Sequence, residues 1–166
     1  MSTHPAALVA ADLLGACREI RTRRCGPGGQ HRNKTETAVV LVHGPTGISA
    51  EASERRSQAE NRQTALKRLR LSLALEHREP ASHQPSESWR RRVRGRQLVI
   101  SAAHEDFPAL IAEALDHLGA AGFQTAPTAH TLGVTGTQLV RLFKKSPAAW
   151  VALNRYRAGA GLPPLK

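Results

Sequence analysis

The rhythm of apolar and polar positions changes several times along this chain. Residues 7 to 15 carry the spacing of a short helix, and Cys17 to Arg24 alternates as a strand does. Ala38-Val39-Val40-Leu41-Val42 is an apolar run rich in β-branched residues, so Thr35 to His43 reads as a second strand. His43-Gly44-Pro45-Thr46-Gly47 is a turn signal. Ile48 to Ala52 then alternates again, as a return strand with one face buried. These last two strands make a hairpin whose base anchors the segment before it. From Ser57 to His77 the period becomes helical: Leu66, Leu69 and Leu73 fall at i, i+3 and i+7, and Leu71 and Leu75 widen the stripe. Ser57 and Glu60 form a capping box that starts this helix, which lies as a lid on the sheet. Arg62, Lys67, Arg68 and Arg70 decorate its remaining face.

Residues 78 to 88 contain two prolines and three serines and read as a linker. An arginine run follows, and Leu98-Val99-Ile100 fits a short strand that docks it back onto a domain. Phe107, Leu110, Ile111, Ala114, Leu115 and Leu118 mark an amphipathic helix closed by Gly119 or Gly122. The run T-A-H-T-L-G-V-T-G-T-Q-L-V-R-L-F-K-K from Thr128 has the form of a helix-turn-helix, with Gly133 at the turn and Thr135 capping the second helix. Leu139, Val140 and Phe143 are its expected inward positions, and Gln138, Arg141 and Lys145 its outer face. Ser146-Pro147 caps a last helix with Trp150, Val151 and Leu153 as core, and the G-A-G-L-P-P-L-K end is expected to fray. The expected fold class is α+β: a small sheet covered by a long helix and carrying an extended loop, then a linker and a small all-α helix-turn-helix-like module. The boundaries read from composition are 1–77 for the sheet domain, 78–97 for the linker and arginine-rich arm, and 98–166 for the helical module.

Charge changes the picture next. The 166 residues carry a formal net charge of +11, which points to a polyanionic partner. The excess is uneven, because residues 1 to 100 hold 18 Lys+Arg against 9 Asp+Glu and residues 101 to 166 hold 6 against 4. Aromatic residues make up 4% of the chain, too few for a base-stacking platform, so any contact with RNA is expected to be phosphate-directed and salt-sensitive. Arg90, Arg91, Arg92, Arg94 and Arg96 stand without an intervening acid and are candidate RNA clamps. Two cysteines, Cys17 and Cys25, are too few for a disulfide framework or a thiolate zinc site. The start of the chain lacks a basic n-region, its apolar run is cut by Asp12, and no later stretch is long enough to span a bilayer. A cytoplasmic protein with no membrane partner is expected.

The densest chemistry lies in R-C-G-P-G-G-Q-H-R-N-K, from Arg24 to Lys34. Gly26, Gly28 and Gly29 permit backbone angles closed to other residues and let the main chain approach a ligand, while Pro27 stiffens the approach. Arg23, Arg24, Arg32 and Lys34 surround the tip and suit phosphates. The run matches neither the P-loop pattern nor the dinucleotide-binding glycine pattern. His31, Glu36 and Cys25 suggest a base, its partner and a nucleophile, but the favoured reading gives the first two a shaping role and Cys25 none. A free-standing hydrolase needs an acid/base pair or an activated nucleophile in mutual reach, and the sequence displays no such set. No cofactor or metal site is indicated.

G-P-G-G-Q-H-R-N-K-T-E-T-A-V, followed by H-G-P-T-G-I from His43 and E-R-R-S-Q from Glu54, resembles the catalytic domain of class I peptide-chain release factors over roughly residues 12 to 77. Gly28, Gly29 and Gln30 match the family's defining tripeptide. The resemblance implies hydrolysis of the ester between nascent peptide and tRNA in the peptidyl-transferase centre of the large ribosomal subunit. Its partners would be large-subunit rRNA and peptidyl-tRNA, with the ribosome supplying the orientation that this chain's own residues do not. It also implies that the backbone N–H of Gln30 stabilises charge developing in the reaction, and that the Gln30 side chain positions water. Many relatives are methylated at the matching glutamine, which makes Gln30 the candidate modification site. Two residues depart from the family's habit: Cys25 stands where serine is common, and Arg32 where a small apolar residue is common.

No codon-reading domain is visible, so the better resemblance is to short codon-independent ribosome-rescue hydrolases. Those proteins usually probe the empty mRNA channel with a disordered basic tail. Here the Arg90–Arg96 arm and a compact helical module stand instead, and residues 101–166 are a candidate docking place for a protein partner. Two alternatives come from other classes: a ribosome-binding protein that does not hydrolyse, and a helix-turn-helix nucleic-acid-binding regulator.

Overall fold

The computed structural model describes residues 3–22 and 37–166. They divide into two units, Met1–His77 and Arg78–Lys166. The architecture is α+β, as the apolar rhythm predicts.

In unit 1 a short 3-10 turn at Pro5–Ala7 leads to α1 (Ala10–Gly15) and a three-stranded antiparallel sheet. Its order is β1 (Cys17–Thr22), β2 (Ala38–His43), β3 (Ser49–Ala52). β2 is central, and the strand period turns Val39, Leu41 and His43 to one buried face while Val40 and Val42 stay half-buried. The turn between β2 and β3 needs Gly47, whose φ is +73°. Helix α2 (Gln58–Glu76) packs across β2 and β3, and the Ser57 hydroxyl accepts from the Glu60 N–H at 3.3 Å to start it. The stripe it buries is Asn61, Ala65, Leu69 and Leu73, with Ala74 and Leu75 beside it. Leu66 and Leu71, expected on that stripe, are only half-buried. The line of closest approach runs at i+4 spacing through the small Ala65, and this rotates the buried face away from Leu66.

Unit 2 differs from expectation at its start. The stretch from Arg78 to Ser86 has no regular structure, in keeping with its prolines, yet it is tied to α4 (Phe107–Ala120). Arg78 donates to Asp116 at 2.8 Å, the Glu79 N–H donates to the same carboxylate at 3.1 Å, and Ser86 donates to Glu113 through N and Oγ, each at 2.6 Å. The arginine run forms no loose arm. It makes α3 (Glu87–Arg92) and a two-stranded ladder, β4 (Val93–Arg94) and β5 (Gln97–Leu98). The cause is Trp89, which is fully buried and donates from Nε1 to the Leu132 carbonyl at 2.9 Å. Gly95, with φ +60°, supplies the first of two turn residues between the ladder strands.

All six apolar positions expected on α4 are buried. After Gly122 and Phe123, both near φ +59°, come α5 (Thr125–Thr131), Gly133 at φ +67°, and α6 (Gly136–Lys144), whose cap Thr135 accepts from the Gln138 N–H at 3.2 Å. The helix-turn-helix is therefore present, although Leu142 rather than Val140 joins Leu139 and Phe143 in the core. In α7 (Pro147–Gly159) the buried residues are Ala149, Ala152, Leu153 and Arg157. Trp150 is half-buried under Lys144, and Val151 is 66% exposed, so neither is the core residue that the apolar pattern suggested. The C-terminal end is held rather than frayed: buried Arg157 donates to the Phe123 carbonyl at 2.7 Å and to Pro163, and the Leu165 N–H reaches Asn154 at 2.8 Å. Among the described residues no helix is long and apolar enough to cross a membrane.

Candidate functional site

The glycine-rich tip and its cations, Arg23, Arg24, Gly28, Gly29, Gln30, Arg32 and Lys34, lie outside the described residues, as do Cys25, His31 and Glu36. What the structure supplies is their mounting. Thr22 at the end of β1 pairs with Ala38 at the start of β2, so residues 23–37 leave and rejoin the same end of one antiparallel ladder. Adjacent antiparallel strands need only a two-residue turn, and a fifteen-residue connection between directly paired positions is of the length that marks functional loops.

The return end of that connection is clasped by a residue the apolar pattern did not single out. Asn61 is fully buried in the first turns of α2. Its Nδ2 donates to the Thr37 carbonyl at 2.6 Å and to the Arg55 carbonyl at 2.9 Å, while Oδ1 accepts from the Arg55 N–H at 2.9 Å. A buried amide is costly without partners, and this one meets both neighbouring segments. The departing strand is tied to the same helix: Glu19 accepts from Arg62 at 2.7 Å and from Arg21 at 3.0 Å. The Arg62 hydrogen bond, aided by Arg21, holds the Glu19 carboxyl below its ordinary pKa. Arg68 braces the far edge by donating to the Glu51 carbonyl at 2.7 Å and to Glu54 at 2.5 Å. Thus α2 grips both strands that carry the loop, through Asn61 and Arg62. The signal for Asn61 was present as an amide one turn before Ala65 on the buried stripe, and for Glu19 as an acid between two basic positions of β1.

At the opposite end of the sheet, His43 is buried, with Nδ1 2.8 Å from the Thr46 hydroxyl; burial lowers its pKa. Gly44 donates to the Ala16 carbonyl at 2.9 Å, and a Cβ there would lie 3.2 Å from that oxygen. Cys17 is a free thiol whose pKa is raised by burial, which makes it a poor nucleophile at neutral pH.

The five arginines of unit 2 divide by partner. Arg91 pairs with Glu87, and Arg92 is half-buried with Asp106 at 2.7 Å. Arg90, Arg94 and Arg96 are exposed and have no carboxylate partner among the described residues; Arg94 donates to the Arg91 carbonyl at 3.0 Å and Arg96 to the Val134 carbonyl at 3.4 Å. The expected outer face of α6 is also assembled. Gln138, Arg141 and Lys145 line a recess of about 210 Å³ together with Gln97, Leu98 and Leu142.

Residues 17–105 match the family model of the RF-1 domain. Peptide chain release factor 1 of Malacoplasma penetrans is 57% identical over 51 residues, which cover 31% of this chain and 14% of that protein. The mitochondrial peptide chain release factor 1-like protein of Mus musculus is 51% identical over 61 residues, 36% of this chain and 16% of that protein. Peptide chain release factor 2 of Lactiplantibacillus plantarum is 42% identical over 78 residues, 47% of this chain and 19% of that protein. The chain thus matches less than a fifth of the length of these curated relatives.

Proposed function

The chain belongs to the RF-1 domain family, and on that premise we propose that it frees nascent peptides from stalled ribosomes by codon-independent hydrolysis of the peptidyl-tRNA ester. The observation that carries this reading is the tripeptide Gly28-Gly29-Gln30 in a long connection rooted on paired strands. In this reading the loop enters the peptidyl-transferase centre, where the backbone N–H of Gln30 meets the negative charge that develops as water attacks the ester carbonyl. One well-placed donor of this kind is worth about 3 kcal/mol of barrier. Gly28 and Gly29 keep side chains away from tRNA and rRNA and leave the loop free to adopt the angle that aims the donor. The Gln30 side chain places the water and excludes larger nucleophiles, and Gln30 is the proposed site of methylation. Arg23, Arg24, Arg32 and Lys34 hold phosphates around the tip. Large-subunit rRNA supplies the orientation that a free-standing hydrolase would need from an acid/base pair.

Codon independence is proposed from the unit that follows the loop-bearing one in sequence. It is a cationic helical unit whose exposed arginines suit a phosphate backbone, including that of rRNA or the mRNA channel, better than the reading of three bases. The reading also implies action in the cytoplasm. The test is peptide release from purified complexes carrying labelled peptidyl-tRNA on truncated mRNA, compared with matched complexes paused at stop and sense codons. Release on truncated mRNA, with neither codon state preferred, supports rescue. Release confined to stop codons would overturn codon independence while leaving the hydrolysis intact.

A further inference from the structure

From the geometry of unit 2 we propose a second RNA-binding surface, in which α6 and the β4–β5 ladder together grip the phosphate backbone of a structured RNA. The two elements are joined along their length. The Thr135 N–H donates to the Arg96 carbonyl at 3.3 Å, Arg96 donates back to the Val134 carbonyl at 3.4 Å, and at the other end of α6 Lys145 Nζ donates to the Ile100 carbonyl at 2.6 Å. These bonds set the ladder beside the helix, and the recess between them is lined by Gln97 and Leu98 of the ladder and by Gln138, Arg141, Leu142 and Lys145, with Arg94 paired to Gln97 across the ladder. Its floor is Leu98 and Leu142; its walls are two neutral amides and two cations.

Charge shows what this surface suits. No Asp or Glu occurs from Ser88 to His104 or from His117 to Lys166. Four of the unit's six Asp and Glu side chains, Glu87, Asp106, Glu113 and Asp116, are engaged with Arg91, Arg92, Ser86 and Arg78, and the other two, Glu79 and Glu105, lie outside the acid-free stretches. Arg94, Arg96 and Arg141 are exposed and meet no carboxylate among the described residues, so their guanidinium groups are open to phosphates. The expectation from sequence, which counted the arginine run and the nearly neutral module separately, underrates this surface because the ladder places both on one face. Sequence-specific DNA readers place base-contacting side chains at the start of the second helix. Here α6 starts with Gly136 and Thr137, the ladder leans on the preceding turn, and the cations lie in the helix's later half. That distribution favours backbone over base contact, and the choice of RNA over DNA rests on the ribosomal reading above.

The test uses the full chain and a labelled RNA stem, with a DNA duplex of the same sequence alongside, titrated over a range of salt. Each lost phosphate contact lowers the salt slope of log K by about one. The paired substitution Arg94→Gln with Arg141→Gln should lower the RNA slope by about two, with an unchanged unfolding transition. Lys166→Gln, which removes an exposed cation that does not line the recess, should leave the slope as it was. An unchanged slope in the paired variant would overturn the proposal, as would an equal loss in Lys166→Gln or tighter binding to the DNA duplex. Because no peptidyl-tRNA is present, the result stands apart from hydrolysis: a chain that binds through this face and releases no peptide would retain the surface and lose the rescue reading.

Discussion

Unit 1 and unit 2 both fasten their elements with polar side chains, but to different ends. In unit 1, Asn61 and the Glu19–Arg62 pair fasten helix α2 to the two strands that bear the loop, so the polar interactions converge on one connection. In unit 2, Trp89 and Arg157 fasten irregular chain to a helical core, one through Leu132 and the other through Phe123 and Pro163. Asp116, Glu87 and Asp106 there pair with Arg78, Arg91 and Arg92, and Arg90, Arg94, Arg96 and Arg141 are exposed. The contrast teaches that polar bonds in one unit converge on the roots of a single long connection, which the proposed reading uses for chemistry, while those in the other secure chain segments around a helical core whose exposed cations the proposed surface uses for binding.

The strongest way to break unit 2 alone is Trp89→Ala. Removing a fully buried aromatic side chain and its hydrogen bond should cost about 3–5 kcal/mol. Both tryptophans lie in unit 2, so the emission of Trp150 follows its denaturation, while the sheet and α2 should remain, as seen by hydrogen exchange at Val39 and Leu41. Simultaneous loss of both units would contradict the separation. Gly29→Ala acts on the other side of the comparison: folding should be unchanged and the release rate should drop about a hundredfold, near 3 kcal/mol of barrier. Asn61→Ala should be intermediate. It leaves the Thr37 carbonyl and the Arg55 amide without their buried partner, at a cost of about 1–3 kcal/mol to unit 1 in urea denaturation. It should also slow release, whereas the Trp150 emission transition should not move.

The smallest effect is a pH dependence. His117 on α4 is buried, its Nε2 meets no hydrogen-bond partner among the described residues, and burial lowers its pKa below the usual 6.5. Below that value the unfolded chain takes up a proton that the folded unit resists. Its stability contribution is therefore present above about pH 6.5 and declines as pH falls towards and through the folded pKa. His117→Leu should flatten the fall in unit 2's thermal midpoint between neutral and mildly acidic pH. An unaltered profile would remove His117 as its source.

Most elements were legible in sequence because their signals are local. β2 announces itself by its β-branched run, and Ser57, Thr135 and Ser146 each cap the helix that their spacing predicted. The misses are tertiary. Asn61 is polar on an otherwise apolar stripe, and only knowledge of the returning Thr37 carbonyl explains it. Trp89 is a single aromatic in a run of serines and arginines whose composition reads as an arm, yet its burial converts the run into a helix and ladder. Val151 and Trp150 share α7 with Leu153, but the helix turns Ala149 and Ala152 inward. The C-terminal tail reads as frayed until Arg157 is seen holding Pro163. The candidate tripeptide is the reverse case, legible from residues 28 to 30 themselves, with the structure contributing the paired strand ends on which it is mounted.

The central claim is that the Gln30 loop performs ester hydrolysis on the ribosome. Its most direct test is single-turnover release of labelled peptide from ribosomes stalled on truncated mRNA, comparing the unaltered chain with Gln30→Ala at saturating protein. The account predicts rapid release by the unaltered chain and a rate lower by about a hundredfold or more in the variant, with equal ribosome binding. Equal release rates for the two proteins would contradict it.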